Sequence, residues 1–89
     1  MIVNQEVTLK DKVLKAIDWY GYSYESTSIP YNVDTWNTYS CEGYEFTESR
    51  VMLEKERDKM IQEGLLEREG TKSLTYTRKG IEYIKERSL

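Results

Sequence analysis

The chain has no histidine, a single cysteine (Cys41) and a single proline (Pro30). Without histidine there is no imidazole general base, no His-containing metal site and no histidine pH switch. One cysteine cannot close an intrachain disulfide, and with no histidine to activate it a Cys–His nucleophile is excluded. No apolar run approaches the length of a membrane-spanning helix, so none is expected. The start, Met1 to Glu6, shows neither a basic nor an apolar leader region, so no secretory signal is expected. There is also no glycine-rich phosphate loop and no metal-ligand spacing. Carboxylates are abundant, but none stands beside a second catalytic residue type at informative spacing. The expectation is a cytoplasmic protein that is not an enzyme and carries no cofactor or metal.

What is present is charge and aromatic area. The 89 residues carry 13 Lys and Arg against 16 Asp and Glu, a net charge of −3. At this length one domain covering residues 1–89 is expected, since two would each be too small to bury a core. Eleven aromatics supply the buried area that a 38% hydrophobic composition would otherwise lack, so a folded domain is expected rather than disorder. The charge is uneven. Residues 16–49 contain no Lys or Arg, six acids and nine of the eleven aromatics. Residues 50–89 contain ten basic and eight acidic side chains. Regional charge guides partner choice better than the total, and only the second half can offer a cationic face.

Local patterns give the elements. Thr8 precedes Leu9 with Asp11 three residues on, close to a capping box. Leu9, Val13, Ile17 and Tyr20 then recur at helical spacing beside Leu14 and Ala16, so a helix is expected from about Leu9 to Trp19, ending near Gly21. Residues 20–32 read as irregular, with Pro30 disfavouring helix at Ile29. Val33, Trp36 and Tyr39 fit a short helix capped by Asn32, although the Thr and Asn content of that stretch fits a strand equally well; Glu42-Gly43 would break it. Thr47 reads as the next N-cap, of a helix running to Glu63 and stopped at Gly64, with Phe46, Leu53, Met60 and Ile61 buried. Leu65–Glu69, a turn at Gly70–Ser73 and Leu74–Thr77 read as a hairpin, and Thr77 caps a last helix from Arg78 to Arg87 with Ile81 and Ile84 inward. A two-stranded hairpin is marginal alone, so it must pack on the helices. The sum is an α+β domain with one small core.

The run Leu53, Met60, Gly64-Leu65-Leu66, Arg68, then Tyr76-Thr77-Arg78-Lys79-Gly80 and Tyr83-Ile84 resembles the winged helix-turn-helix superfamily. It is most similar to regulators of the MarR and PadR types and to short YjcQ-like proteins of bacteria and phages. The pattern is a helix ending in Leu-x-x-x-Gly-Leu-[Leu/Ile/Val], a β-wing, then Leu-Thr-x-Lys-Gly and a helix; here Met60 and Tyr76 replace its two leucines outside the glycine step. The resemblance covers residues 47–87 and the first helix generically. Glu56 and Arg57 depart from it, standing where relatives keep an apolar residue, and the middle segment is longer and more aromatic. It implies a winged helix, a three-helix core with a two-stranded wing and a C-terminal helix.

Under that resemblance, residues 47–63 form a recognition helix for a DNA major groove. Arg50 would reach phosphate or a guanine edge, Lys55 and Lys59 would neutralise phosphates, and Ser49 would donate to either. Lys72 would sit at the wing tip, with Arg68, Arg78 and Lys79 nearby. The alternative for each basic residue is a solvated helix face with i,i+4 pairs. Arg57 points to the buried side, where a packed stem or salt bridge is expected. Of the aromatics, Trp19, Trp36, Tyr39 and Phe46 are candidates for the core. Tyr20, Tyr22, Tyr24, Tyr31 and Tyr44 are candidates for a protein-facing surface, because tyrosine is a favoured interface anchor and this segment repels phosphate. Cys41 reads as a small apolar residue near a turn. Two functions follow. The first is a small transcriptional regulator binding double-stranded DNA as a homodimer. The second is a winged-helix interaction module, a phage or mobile-element factor, that binds a protein partner through segment 20–44.

Overall fold

The computed structural model describes residues 7–24, 28–39 and 44–87; of residues 20–24 and 39 it describes the backbone alone. The elements are helix α1 (Leu9–Tyr24), strand β1 (Ser28–Pro30), a 3-10 helix (Val33–Tyr39), helix α2 (Arg50–Gln62), strands β2 (Leu66–Glu69) and β3 (Ser73–Tyr76), and helix α3 (Arg78–Arg87). This is an α+β fold. Cys41 and Glu42-Gly43 lie outside the described residues.

α1 begins where its cap dictates. The Thr8 hydroxyl accepts the Asp11 amide at 3.2 Å and the Asp11 carboxylate accepts the Thr8 amide at 3.0 Å, a reciprocal capping box with Asp in the Glu position. Asp11 is fully buried. The same carboxylate accepts the Tyr83 hydroxyl at 2.9 Å and a two-pronged hydrogen bond from the Arg87 guanidinium, so the start of α1 is bound to the last turn of α3. Val13, Leu14, Ala16 and Ile17 are buried along α1. The helix runs past Gly21 to Tyr24, longer than its periodicity suggests. Trp19, expected in the core, is 38% exposed.

The segment 20–32, read as irregular, holds the end of α1 and the whole of β1. β1 pairs antiparallel with β3, Ile29 opposite Leu74, and the sheet order is β1-β3-β2. Three residues ending in proline suit an edge strand, because an edge leaves one row of amides unpaired and Pro30 has none to offer. Asn32 caps the 3-10 helix by accepting the Asp34 amide at 3.0 Å. Val33 and Trp36 are buried three residues apart, the repeat that stacks side chains in a 3-10 turn. The Trp36 indole donates to the Pro30 carbonyl at 2.8 Å and its ring lies 5.3 Å from that of Phe46.

α2 starts two residues later than expected. Thr47 does not cap it. The Ser49 hydroxyl accepts the Met52 amide at 3.4 Å and makes Arg50 the first helical residue. Its end is a Schellman motif: the Leu65 amide donates to Met60, the Gly64 amide donates to Ile61, and Gly64 sits at φ +81°. Leu65 and Met60, the positions that carry the apolar contact in this motif, are both buried. Immediately beyond, the Leu65 carbonyl accepts the Thr77 amide at 3.0 Å, while the Thr77 hydroxyl donates to Gly64 and accepts the Gly80 amide. α3 therefore starts on the turn that ends α2. Gly80 makes this contact close. A Cβ there would lie 2.5 Å from the Leu65 carbonyl oxygen, 3.1 Å from Tyr76 Cβ and 3.2 Å from Leu14 Cδ2. Ile84 is buried on α3; Ile81, expected inward, and Ile61 of α2, expected buried, are half-buried.

Gly80→Ala should lower stability by about 1–3 kcal/mol despite alanine's better helix propensity, because the neighbour it strikes is backbone and cannot step aside. Chemical denaturation of the two proteins measures this. Asp11→Ala should cost about 3 kcal/mol by leaving buried donors unanswered. Burial alone would raise the Asp11 carboxyl, but the Arg87 guanidinium, the Thr8 amide and the Tyr83 hydroxyl outweigh it and hold it below its ordinary value. A folded-state value below the unfolded one gives stability that is full above about pH 4 and is lost as pH falls through the folded value. The urea midpoint of the wild type should therefore drop below about pH 4 more steeply than that of Asp11→Asn.

Candidate nucleic-acid interface

α2 buries one side and exposes the other. Leu53, Arg57 and Met60 face inward. At 3.6 residues per turn, Val51, Lys55, Asp58, Lys59 and Gln62 form the opposite stripe, with Met52 at its margin, and all six are exposed. Lys55 and Lys59 make no ion pair with another described residue. Asp58 lies in the same stripe, but its carboxylate takes a hydrogen bond from Arg57 Nε at 2.9 Å.

Arg50, the strongest sequence candidate for a base contact, is held between two acids. Its Nε lies 3.3 Å from Asp34 and 3.8 Å from Glu54, the latter an i,i+4 pair. These two carboxylates leave that corner net negative. The Ser49 hydroxyl is engaged as the helix cap.

Tyr31 joins α2 to the hairpin. Its carbonyl accepts Arg57 Nη1 at 3.1 Å and its amide donates to the Lys72 carbonyl at 2.8 Å. The guanidinium carbons of Arg57 and Arg68 lie 4.0 and 4.2 Å from the centre of its ring. A single aromatic ring thus receives one cation from α2 and one from β2. Arg68 also donates to the Thr71 carbonyl at 3.1 Å, which ties it to the hairpin turn. Arg57 is packed and bonded, as its buried-side position implies. The spacing of the sequence could not have paired it with Tyr31, 26 residues away. Tyr31 was a candidate for a partner surface; it is half-buried and uses its ring within the chain. Tyr44 is half-buried. The side chains of Tyr20, Tyr22, Tyr24 and Tyr39 lie outside the described residues.

Lys72 is exposed in the β2–β3 turn and unpaired among the described residues. It borders an open groove of 540 Å³ between that turn and the 3-10 helix, lined also by Pro30, Tyr31, Thr35, Thr38 and Thr71. Arg78 and Lys79 are not near Lys72. They begin α3 at the far end of β3, about 13 Å of strand away. Lys79 closes the end of α2 by donating to the Glu63 carbonyl at 3.0 Å. Arg78 is exposed and unpaired among the described residues.

Among the described residues no cluster of acids or thiols is arranged to hold a metal ion, and no helix is long and apolar enough to cross a membrane. No family model, no curated protein and no solved structure matches the chain.

The ring between two guanidiniums makes a specific demand. Tyr31→Phe should leave the denaturation midpoint unchanged, since the hydroxyl has no partner among the described residues. Tyr31→Ala should lower stability by about 2 kcal/mol through the loss of both cation–π contacts and of packing. Equal loss in the two variants would mean that the hydroxyl, not the ring face, holds the hairpin.

Proposed function

We propose that this chain is a winged-helix DNA-binding domain, a small transcriptional regulator in which α2 is the recognition helix and the β2–β3 hairpin is the wing. The observation that carries the reading is a group of cations without counter-ions on α2 and the wing; Arg78 and Lys85, on α3, are exposed and unpaired among the described residues as well. In a chain of net charge −3, Lys55, Lys59 and Lys72 stand exposed without an internal acid among the described residues, on the helix and the turn that Tyr31 ties together. Arg57, Arg68, Lys79 and Arg87 are committed to the fold. The resemblance of Gly64-Leu65-Leu66 and Thr77-Arg78-Lys79-Gly80 to winged-helix regulators supports the same reading. So does the succession of the 3-10 helix, α2 and hairpin.

The chemistry is electrostatic positioning followed by base contact. Lys55, Lys59 and Lys72 displace counter-ions from phosphates, and the Ser49 hydroxyl, an acceptor toward its own helix, keeps its hydrogen for a phosphate oxygen. Three cations are few, and Glu67 and Glu69 are exposed on the same hairpin. Binding is accordingly weak at physiological salt and steeply salt dependent.

Three neutralised phosphates give a slope of about −3 for log affinity against log salt. Lys55→Ala, Lys59→Ala and Lys72→Ala should each reduce that slope by about one. Lys79→Ala, which loses only the cap on Glu63, should leave it unchanged. Fluorescence anisotropy on short labelled duplexes at 20–200 mM salt, about the range over which such contacts are titrated, reads the slopes. Absence of any duplex binding at the low-salt end would overturn the assignment.

A further inference from the structure

We propose that α2 discriminates bases through apolar contact with thymine methyl groups, made by Val51 and Met52. The inference rests on the DNA-binding reading above and adds what the helix would recognise.

Val51 and Met52 are 59% and 54% exposed, the most open large hydrophobic side chains among the described residues. Both fall in the first turn of α2, directly after the Ser49 cap, the end of a recognition helix that approaches base edges. Their neighbours select the partner. Val51 lies in the stripe that carries Lys55, Asp58 and Lys59; Asp58 is paired with Arg57, so the cations left without a partner lie one and two turns beyond the apolar point, and a surface complementary to the stripe is apolar at one end and anionic further along. A duplex major groove has that pattern: phosphates along the walls and, of the four bases, only thymine presenting a methyl group. A guanine-directed contact is absent from this turn, because Arg50 is shared by Asp34 and Glu54. Val51 is β-branched and nearly fixed at χ1 in a helix, so its methyls are presented without further ordering. Met52 is flexible and polarisable, and adapts to whichever step lies beside it.

The experiment uses the full chain and a pool of random-sequence 20-base-pair duplexes, about two helical turns long, selected for retention at low salt. Selected duplexes should be enriched in thymine. When they are resynthesised with deoxyuridine for thymidine, affinity should fall roughly three- to fivefold for each contacted base, the worth of one buried methyl. Val51→Ala and Met52→Ala should weaken binding to the thymine duplex and leave binding to the uracil duplex unchanged, with circular dichroism identical to wild type. Equal affinity for the two duplexes would overturn the methyl contact while leaving the DNA reading intact. Failure to retain any duplex would overturn both. If Val51→Asp leaves duplex affinity unchanged but dissociates a self-associated species in light scattering, the patch belongs to a second copy of the chain and the proposal is wrong.

Discussion

The carbonyl of Leu65 is the point at which the two halves of this fold are joined. It lies one residue beyond the positive-φ glycine that ends α2, and it accepts the amide of Thr77, which begins α3. Gly80 passes so close above it that no side chain fits between. Thr77 serves both helices at once, donating to Gly64 at the end of one and accepting Gly80 at the start of the other. Lys79 adds a cap on Glu63. The orphan groups of two helix ends, which would otherwise need water, are satisfied by each other. The direction in which α2 leaves the hairpin follows from this junction, and with it the direction in which the stripe Val51–Lys55–Gln62 faces.

A second tie fixes the same hairpin at its other end. Tyr31 meets the turn through Lys72, the strand through Arg68 and α2 through Arg57. A hairpin of two four-residue strands has little area of its own with which to hold an angle. Held at Thr77 and again at Tyr31, it is constrained at both ends of β3. The charges follow from the same economy of parts. Several basic side chains act as internal ties to carbonyls, to an aromatic ring or to a buried carboxylate, and the few left over are conspicuous because acids are in excess throughout the chain. The net charge of −3 describes the whole and conceals this division.

What was legible in the sequence was what is local. The Thr8–Asp11 box, the glycine stop at Gly64, the hairpin turn and the Thr77 cap each depend on residues a few positions apart. The Val33–Trp36–Tyr39 spacing allowed a short helix or a strand, and only packing of Trp36 against Phe46 and Pro30 decides for the 3-10 form. β1 was illegible because three residues ending in Pro30 carry no alternation, and their strand character comes entirely from pairing with β3, more than 40 residues on. The start of α2 was misplaced because Thr47 and Ser49 are both competent caps; Glu48, drawn toward Lys12 at 2.9 Å, keeps residues 47 and 48 out of the helix. The site was legible only as a roster of cations. Spacing shows Glu54 one turn from Arg50, but not Asp34, the nearer of the two acids that hold it, which comes from the 3-10 helix.

The ion pair between the buried Asp11 carboxylate and the half-buried Arg87 shows how a non-local tie shapes the fold. Replacing a buried ion pair with apolar residues often costs nothing, so its presence is poor evidence of added stability. Its effect here is one of register. Asp11 can satisfy the Thr8 amide, the Tyr83 hydroxyl and the Arg87 guanidinium together only when α1 and α3 are aligned in one way along their lengths. α3 cannot slide, because at its other end Gly80 is closed down on Leu65. Fixed at both ends, α3 carries the alignment of α1 into the junction that orients α2.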